Sequence, residues 1–165
     1  MSQYIDLMIN GRETPSRTTL FYIICLLAVS FLLHLLLRPL RSRKRILHLS
    51  RAADKMDPRE FFQLRMARRY QHQPDFPGIY ILYNKSQRMY YVGQGKRVFQ
   101  RVNSHFTGHG NGDVYADYKY GDVFTIQIIP LKDSGFRSLN SFERYAIRTF
   151  KAFKRGYNKT RGNRH

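Results

Sequence analysis

Arg101 and His105 stand four residues apart, so a helix from about Lys96 to Phe106 places both on one face. A guanidinium fork matches two oxygens of a phosphate at once. An imidazole can place or accept a proton near neutral pH. Glu143 is the only acidic residue in the last helical stretch, and one carboxylate suffices to bind Mg²⁺, which keeps several of its waters. Tyr80 and Tyr91 fall on two runs that read as neighbouring strands of one hairpin, where their hydroxyls can converge. These are the groups that cutting a phosphodiester requires: an oriented or activated water, neutralisation of charge on the phosphorane, and help for the leaving 3′-oxygen. Each has a plainer alternative. Arg101 can be ordinary backbone binding by a basic helix, and His105 a surface residue. Glu143 can be a solvated residue paired with Arg144 or Arg148. The tyrosines can be sheet packing, the preferred reading for Tyr83, Tyr90 and Tyr115, and the residues alone do not lift Tyr80 and Tyr91 above it.

Those residues need a scaffold, and the chain beyond residue 76 supplies one. Residues 78–84 (GIYILYN) and 89–93 (MYYVG) are strand-like, with a turn at Asn84–Gln87. The helix at about 96–106 follows, then a Gly-rich loop through Gly112. A third strand runs from Val123 to Leu131, and Ser138 or Asn140 can cap a last helix to about Phe153, stopped by Gly156. The expected fold class is α+β, a small three-stranded antiparallel sheet flanked by helices. Upstream, Asp57-Pro58-Arg59-Glu60 is a helix start with a capping pair, and an apolar stripe from Phe61 continues to about Tyr70. That helix is expected to dock on the domain or lie along a membrane surface, docking being preferred.

Charge and hydropathy divide the rest. The chain has 165 residues, with 29 Lys+Arg against 11 Asp+Glu. Residues 18–37 carry no formal charge and as a helix span roughly 30 Å, the thickness of a bilayer's hydrocarbon core. A helix apolar on every face needs more protein around it than 165 residues offer, so a transmembrane helix is expected in preference to a soluble core helix. The run is longer than a usual signal core, and no small-residue cleavage site precedes the arginines, so it is expected to be retained. Arg38, Arg41, Arg43, Lys44, Arg45 and Arg51 follow it, against only Arg12 and Arg17 before it. Cationic flanks stay on the cytoplasmic side. The expected organisation is therefore a short extracytoplasmic segment at 1–17, a single membrane pass at 18–37, a basic juxtamembrane linker at 38–75 with its short helix at 58–70, and a cytoplasmic domain at 76–165. Anionic lipid headgroups and DNA phosphates are the expected partners of the basic stretches. The one cysteine, Cys25, lies in the apolar run, which excludes an internal disulfide and a cysteine zinc site.

Gly78-Ile79-Tyr80, ten intervening residues, and Tyr91-Val92-Gly93 resemble the paired signature of the GIY-YIG nuclease family. The resemblance continues in order over residues 77–160: Arg101 ten residues after Tyr91, Glu143 on a later helix, and Asn158 in Gly-Tyr-Asn near the end. It does not reach residues 1–70. It implies an endonuclease that hydrolyses DNA with Mg²⁺ or Mn²⁺, with Glu143 as metal ligand and Arg101 on the scissile phosphate. Tyr80 and Tyr91 would act on the attacking water, and His105 would be a base or water-positioning group. If His105 is the base, activity should fall below about pH 6 as it protonates. Gly93, Lys96, Arg97 and Asn158 are the expected DNA-binding residues, with no sequence-reading module beside them. The repair-incision branch of the family carries a lysine directly after its second motif, where this chain has Gln94, and Lys96 follows two residues later. A membrane tether suggests a role against incoming phage or foreign DNA, or in DNA uptake. The alternative from another class is a catalytically inactive membrane-tethered DNA-binding protein.

Overall fold

The computed structural model describes residues 16–162; the first fifteen residues, including Arg12 and most of the expected extracytoplasmic segment, lie outside the described residues. The chain divides into two compact units, residues 1–39 and 40–165. Helix α1 (Arg17–Ala52) extends well past the expected end at Leu37 and passes through Pro39. Its apolar window is long and apolar enough to cross a membrane, and none of that window is buried within the protein.

In the second unit α1 is followed by α2 (Pro58–Tyr70), β1 (Gly78–Asn84), β2 (Met89–Gly95), α3 (Val98–Phe106), α4 (Gly112–Lys119), β3 (Phe124–Pro130), α5 (Leu139–Thr149) and α6 (Ala152–Arg155). The three strands form one sheet in the order β2-β1-β3, antiparallel throughout. Helices cover both faces, the α+β arrangement expected. Because side chains alternate across a strand, β1 feeds two cores. Tyr80 and Leu82 face Phe61, Val98, Phe99, Val102, Phe106 and Phe124. Ile79 and Ile81 face Val92, Ile129, Phe142, Ala146, Ile147 and Ile46 of α1. Both outer edges of the sheet are paired. Met56 exchanges backbone hydrogen bonds with Ile126 of β3 (3.0 and 2.8 Å). The C-terminal segment follows β2, the Tyr157 N–H donating to the Tyr90 carbonyl at 3.0 Å.

Residues 38–75, expected as a linker with one helix, carry more structure than that. Ile46 is fully buried, Ser50 donates to the Gln127 side chain at 3.0 Å, and Arg45 donates to the Gly135 carbonyl at 2.8 Å. The buried amide of Gln127 closes the other half of this latch, donating to the carbonyls of Ser50 (2.5 Å) and Ala53 (3.3 Å). Helix α2 has the capping box its sequence predicts, Asp57 accepting from the Glu60 N–H and Glu60 from the Asp57 N–H. It docks through Phe61, also fully buried. Losing a buried Ile or Phe side chain costs about 2–5 kcal/mol each, and a small domain holds only about 5–15 kcal/mol in all. A fragment beginning at residue 71 should therefore lack a cooperative thermal transition by circular dichroism, whereas one beginning at Leu40 should show it. Equal melting of the two fragments would contradict the docking of residues 40–70.

Three local expectations are corrected. Helix α3 begins at Val98, not Lys96, because its cap comes from outside: the Asp75 carboxylate accepts from the N–H groups of Phe99 (3.1 Å) and Gln100 (3.0 Å). The segment after the Gly-rich loop holds α4, capped by the Asn111 side chain on the Val114 N–H at 3.0 Å. Tyr115 is on that helix rather than in the sheet, while Tyr83 and Tyr90 do stack across β1 and β2 at 4.4 Å. The last helix is two: α5 ends at Thr149, Lys151 takes a left-handed φ of 54°, and α6 restarts at Ala152. The break lets Phe150 pack on Tyr90 (5.0 Å) and Ala152 bury, and sends the chain back along β2.

Candidate active site

Tyr80 lies in the middle of β1, opposite Gly93 of β2. Its ring crosses that position, and a Cβ on residue 93 would overlap its hydroxyl. Gly93, expected to approach DNA, thus has a reason to be glycine that is internal to the site. The Tyr80 ring is buried, with its centroid 6.1 Å from that of Tyr91 and 5.3 Å from that of His105. Tyr91, half-buried on β2, completes the group at 4.8 Å from His105.

His105 is fully buried on α3, not on its surface. Both ring nitrogens are engaged: Nδ1 accepts from the Asn111 N–H at 2.8 Å, and Nε2 lies 2.7 Å from the Tyr80 hydroxyl. A backbone N–H can only donate, so Nδ1 carries no proton and the neutral ring holds its hydrogen on Nε2. His105 therefore donates to the Tyr80 oxygen. Gly110 makes the turn that permits this, since a side chain there would overlap the imidazole.

Burial, reinforced by the Arg101 charge, lowers the His105 pKa to about 4. The expected loss of activity below about pH 6 is accordingly not assigned to His105, which stays neutral through that range. The effect on stability has a definite sign. The unfolded chain takes up the proton near pH 6.5 and the folded one near 4, so stability is full above about 6.5 and declines by about 3 kcal/mol as pH falls toward 4. Denaturant midpoints measured from pH 7 to 4.5 should fall, and His105→Gln should flatten that slope. An activity inflection near pH 6 that this variant removes would contradict the assignment.

The tyrosine hydroxyls are shifted in the opposite sense. Burial raises the Tyr80 pKa well above 10, with Tyr91 adding to the rise and Arg101 opposing it. Burial likewise raises Tyr91, again opposed by Arg101. Arg101 itself is exposed on α3, one turn before His105, where its charge acts on all three rings. Glu143 is half-buried on α5, near enough to Tyr91 for its charge to act there. The Gln94 amide ties it to β2, donating to Glu143 Oε2 at 3.0 Å and to Asn140 Oδ1 at 2.7 Å. So the position where the repair branch carries lysine here holds the carboxylate through a neutral amide.

Tyr80, Tyr91, Arg101, His105 and Glu143 are thus brought together by β1, β2, α3 and α5. The proposed DNA-binding residues are dispersed. Lys96 lines a recess with Gln94, Leu131 and Asn140. Arg97 opens onto a separate hollow beside α2. Asn158 has both ends of its amide on the Val92 backbone, accepting from its N–H at 2.9 Å and donating to its carbonyl at 2.7 Å. It clamps the edge of β2, and its polar atoms are spent there. Sequence reasoning passed over Gln94 as a support for Glu143, and Asn111 and Gly110 as the groups that set the His105 ring. Gln94 had a signal, its place directly after the second motif; the other two act through backbone and had none.

No three His, Cys, Asp or Glu residues cluster as a cage among the described residues. The single carboxylate of Glu143 suits a hard cation that keeps most of its water, as Mg²⁺ does. The chain matches the family model described as the GIY-YIG catalytic domain over residues 76–158. No curated protein and no solved structure matches it.

Proposed function

The chain belongs to the GIY-YIG family, and on that premise we propose that it is a divalent-metal-dependent DNA endonuclease anchored in a membrane by α1. The observation that carries the reading is the convergence of Tyr80, Tyr91, Arg101, His105 and Glu143, with the Tyr80 hydroxyl bonded to a His105 ring that the Asn111 N–H fixes in place. Arg101, exposed and charged, receives two oxygens of the scissile phosphate. Glu143 holds Mg²⁺ or Mn²⁺, which when bound supplies Lewis acidity to the phosphate and to the leaving 3′-oxygen. Tyr80 and Tyr91 orient the attacking water. With its pKa pushed up by burial, Tyr80 acts as a positioning hydroxyl at neutral pH, and the Nε2–H of His105 fixes the direction of its lone pairs. The water oxygen bonds to phosphorus and releases a proton to solvent, the bond to the 3′-oxygen breaks, and that oxygen takes up a proton from solvent.

The apolar length of α1 and the arginines after Leu37 support a single pass with the nuclease domain in the cytoplasm and the N-terminus outside. Anionic headgroups attract the flanking cations at about 1 kcal/mol each. A nuclease held there meets DNA that crosses or touches the membrane, which suits action on phage or other foreign DNA. The test uses the full chain in detergent with supercoiled plasmid. Binding in EDTA followed by nicking when Mg²⁺ is added is the expected result. Binding without cutting in both Mg²⁺ and Mn²⁺ would replace this reading with that of an inactive DNA tether.

A further inference from the structure

We propose that the hollow between the C-terminal end of α2 and the start of α3 is a second phosphate-binding site, which holds the DNA backbone away from the bond being cut. The proposal rests on the nuclease reading above, but its residues come largely from outside the matched domain. The hollow measures about 640 Å³ and is bordered by Arg65, Arg68, Arg69, His72 and Arg97. Of these only Arg97 falls within residues 76–158.

Positive charge is in clear excess in this hollow, four arginines against one carboxylate. Among the described residues Arg65, Arg69 and Arg97 form no ion pair. The only carboxylate on the rim is Asp75, whose oxygens accept from the N–H groups of Phe76, Phe99 and Gln100 and so cap α3. Arg68 is built into the wall. It donates to Gln73 Oε1 (2.8 Å) and the Pro74 carbonyl (2.7 Å), with its guanidinium 4.7 Å from the centre of the Phe99 ring and 5.4 Å from that of Phe76. A cation fixed by stacking and neutral acceptors keeps its full charge, and it has little conformational freedom left to lose on binding an anion.

Position ties the hollow to the catalytic group. Arg97 precedes α3 and Arg101 lies one turn further on, about 6 Å along the axis. A strand with its scissile phosphate on Arg101 can pass Arg97 and lay a further phosphate among Arg65, Arg69 and the fixed Arg68. A concave cluster of forked cations suits a phosphodiester chain that enters it, whereas a bilayer presents a plane of headgroups. The preferred occupant is therefore DNA.

Arg65→Gln/Arg69→Gln in the full-length chain, in detergent and EDTA, tests this with a labelled DNA duplex as probe. Each phosphate contact contributes about one to the slope of log affinity against log salt, so the double variant, which removes this one contact, should lower the slope by about one at unchanged melting temperature. An unchanged slope in a variant that melts like wild type overturns the proposal. So does an unchanged slope accompanied by weaker binding to phosphatidylserine vesicles, which would assign the hollow to lipid. Failure of the wild-type chain to bind the duplex at all would instead overturn the nuclease reading on which the proposal rests.

Discussion

Glu143→Ala should reduce DNA cutting by about 10³-fold or more while DNA binding persists. Loss of one electrostatic group aimed at the charge developing in the transition state costs about 10²–10³ in rate, and loss of the sole carboxylate also removes the metal and its Lewis acidity. The fold should tolerate the change. Glu143 is half-buried on α5, and the Gln94 amide it leaves behind still donates to Asn140 Oδ1 at 2.7 Å. Removing a negative charge beside a phosphate site leaves affinity equal or higher. Gel-shift affinity and single-turnover cutting on the same preparation separate the two effects. If Glu143 were only a surface residue paired with Arg144 or Arg148, cutting would continue at close to the wild-type rate.

Tyr80→Phe is the second large effect, and it should be visible in both activity and stability. Loss of a positioned proton-handling or water-orienting group costs about 10²–10⁴ in rate. The same change leaves the buried Nε2–H of His105 without its partner at 2.7 Å, a penalty of about 1–3 kcal/mol. A drop in kcat accompanied by a lower melting temperature is expected, with DNA binding in EDTA unchanged. His105→Gln should recover part of that lost stability in the Tyr80→Phe background, because the orphaned donor is gone. A Tyr80→Phe variant that cuts normally would reduce Tyr80 to sheet packing.

The readable parts of this protein were those whose cause is local. The hairpin follows from residues 78–84 and 89–93, and the start of α2 from Asp57 and Glu60, because alternation and capping act between near neighbours. The family signature likewise brought out Tyr80, Tyr91, Arg101 and Glu143. What escaped were causes that lie far along the chain. Helix α3 starts where Asp75 caps it, 24 residues before Phe99. The residues after Leu37 look like a charged linker until Ile46 meets β1 and Ser50 meets Gln127, 77 residues away. Asn158 has the composition of a DNA contact but closes a sheet edge, and His105 has that of a surface base but is enclosed. Asp75, His105 and Asn158 are polar side chains at a plausible spacing that are claimed by backbone, whereas Ile46 and Ser50 are claimed by side chains of the sheet.

In the proposed reaction water, oriented by Tyr80 and Tyr91, displaces the 3′-oxygen of DNA at a phosphate held by Arg101 and a metal on Glu143. Single-turnover cutting in ¹⁸O-water with Mg²⁺, followed by mass analysis of the ends, reads which oxygen enters and which bond breaks. One ¹⁸O on a 5′-phosphate, with a free 3′-hydroxyl on the other strand end, is the expected result. Intact strands, or cut strands whose phosphate lacks the label, would contradict it.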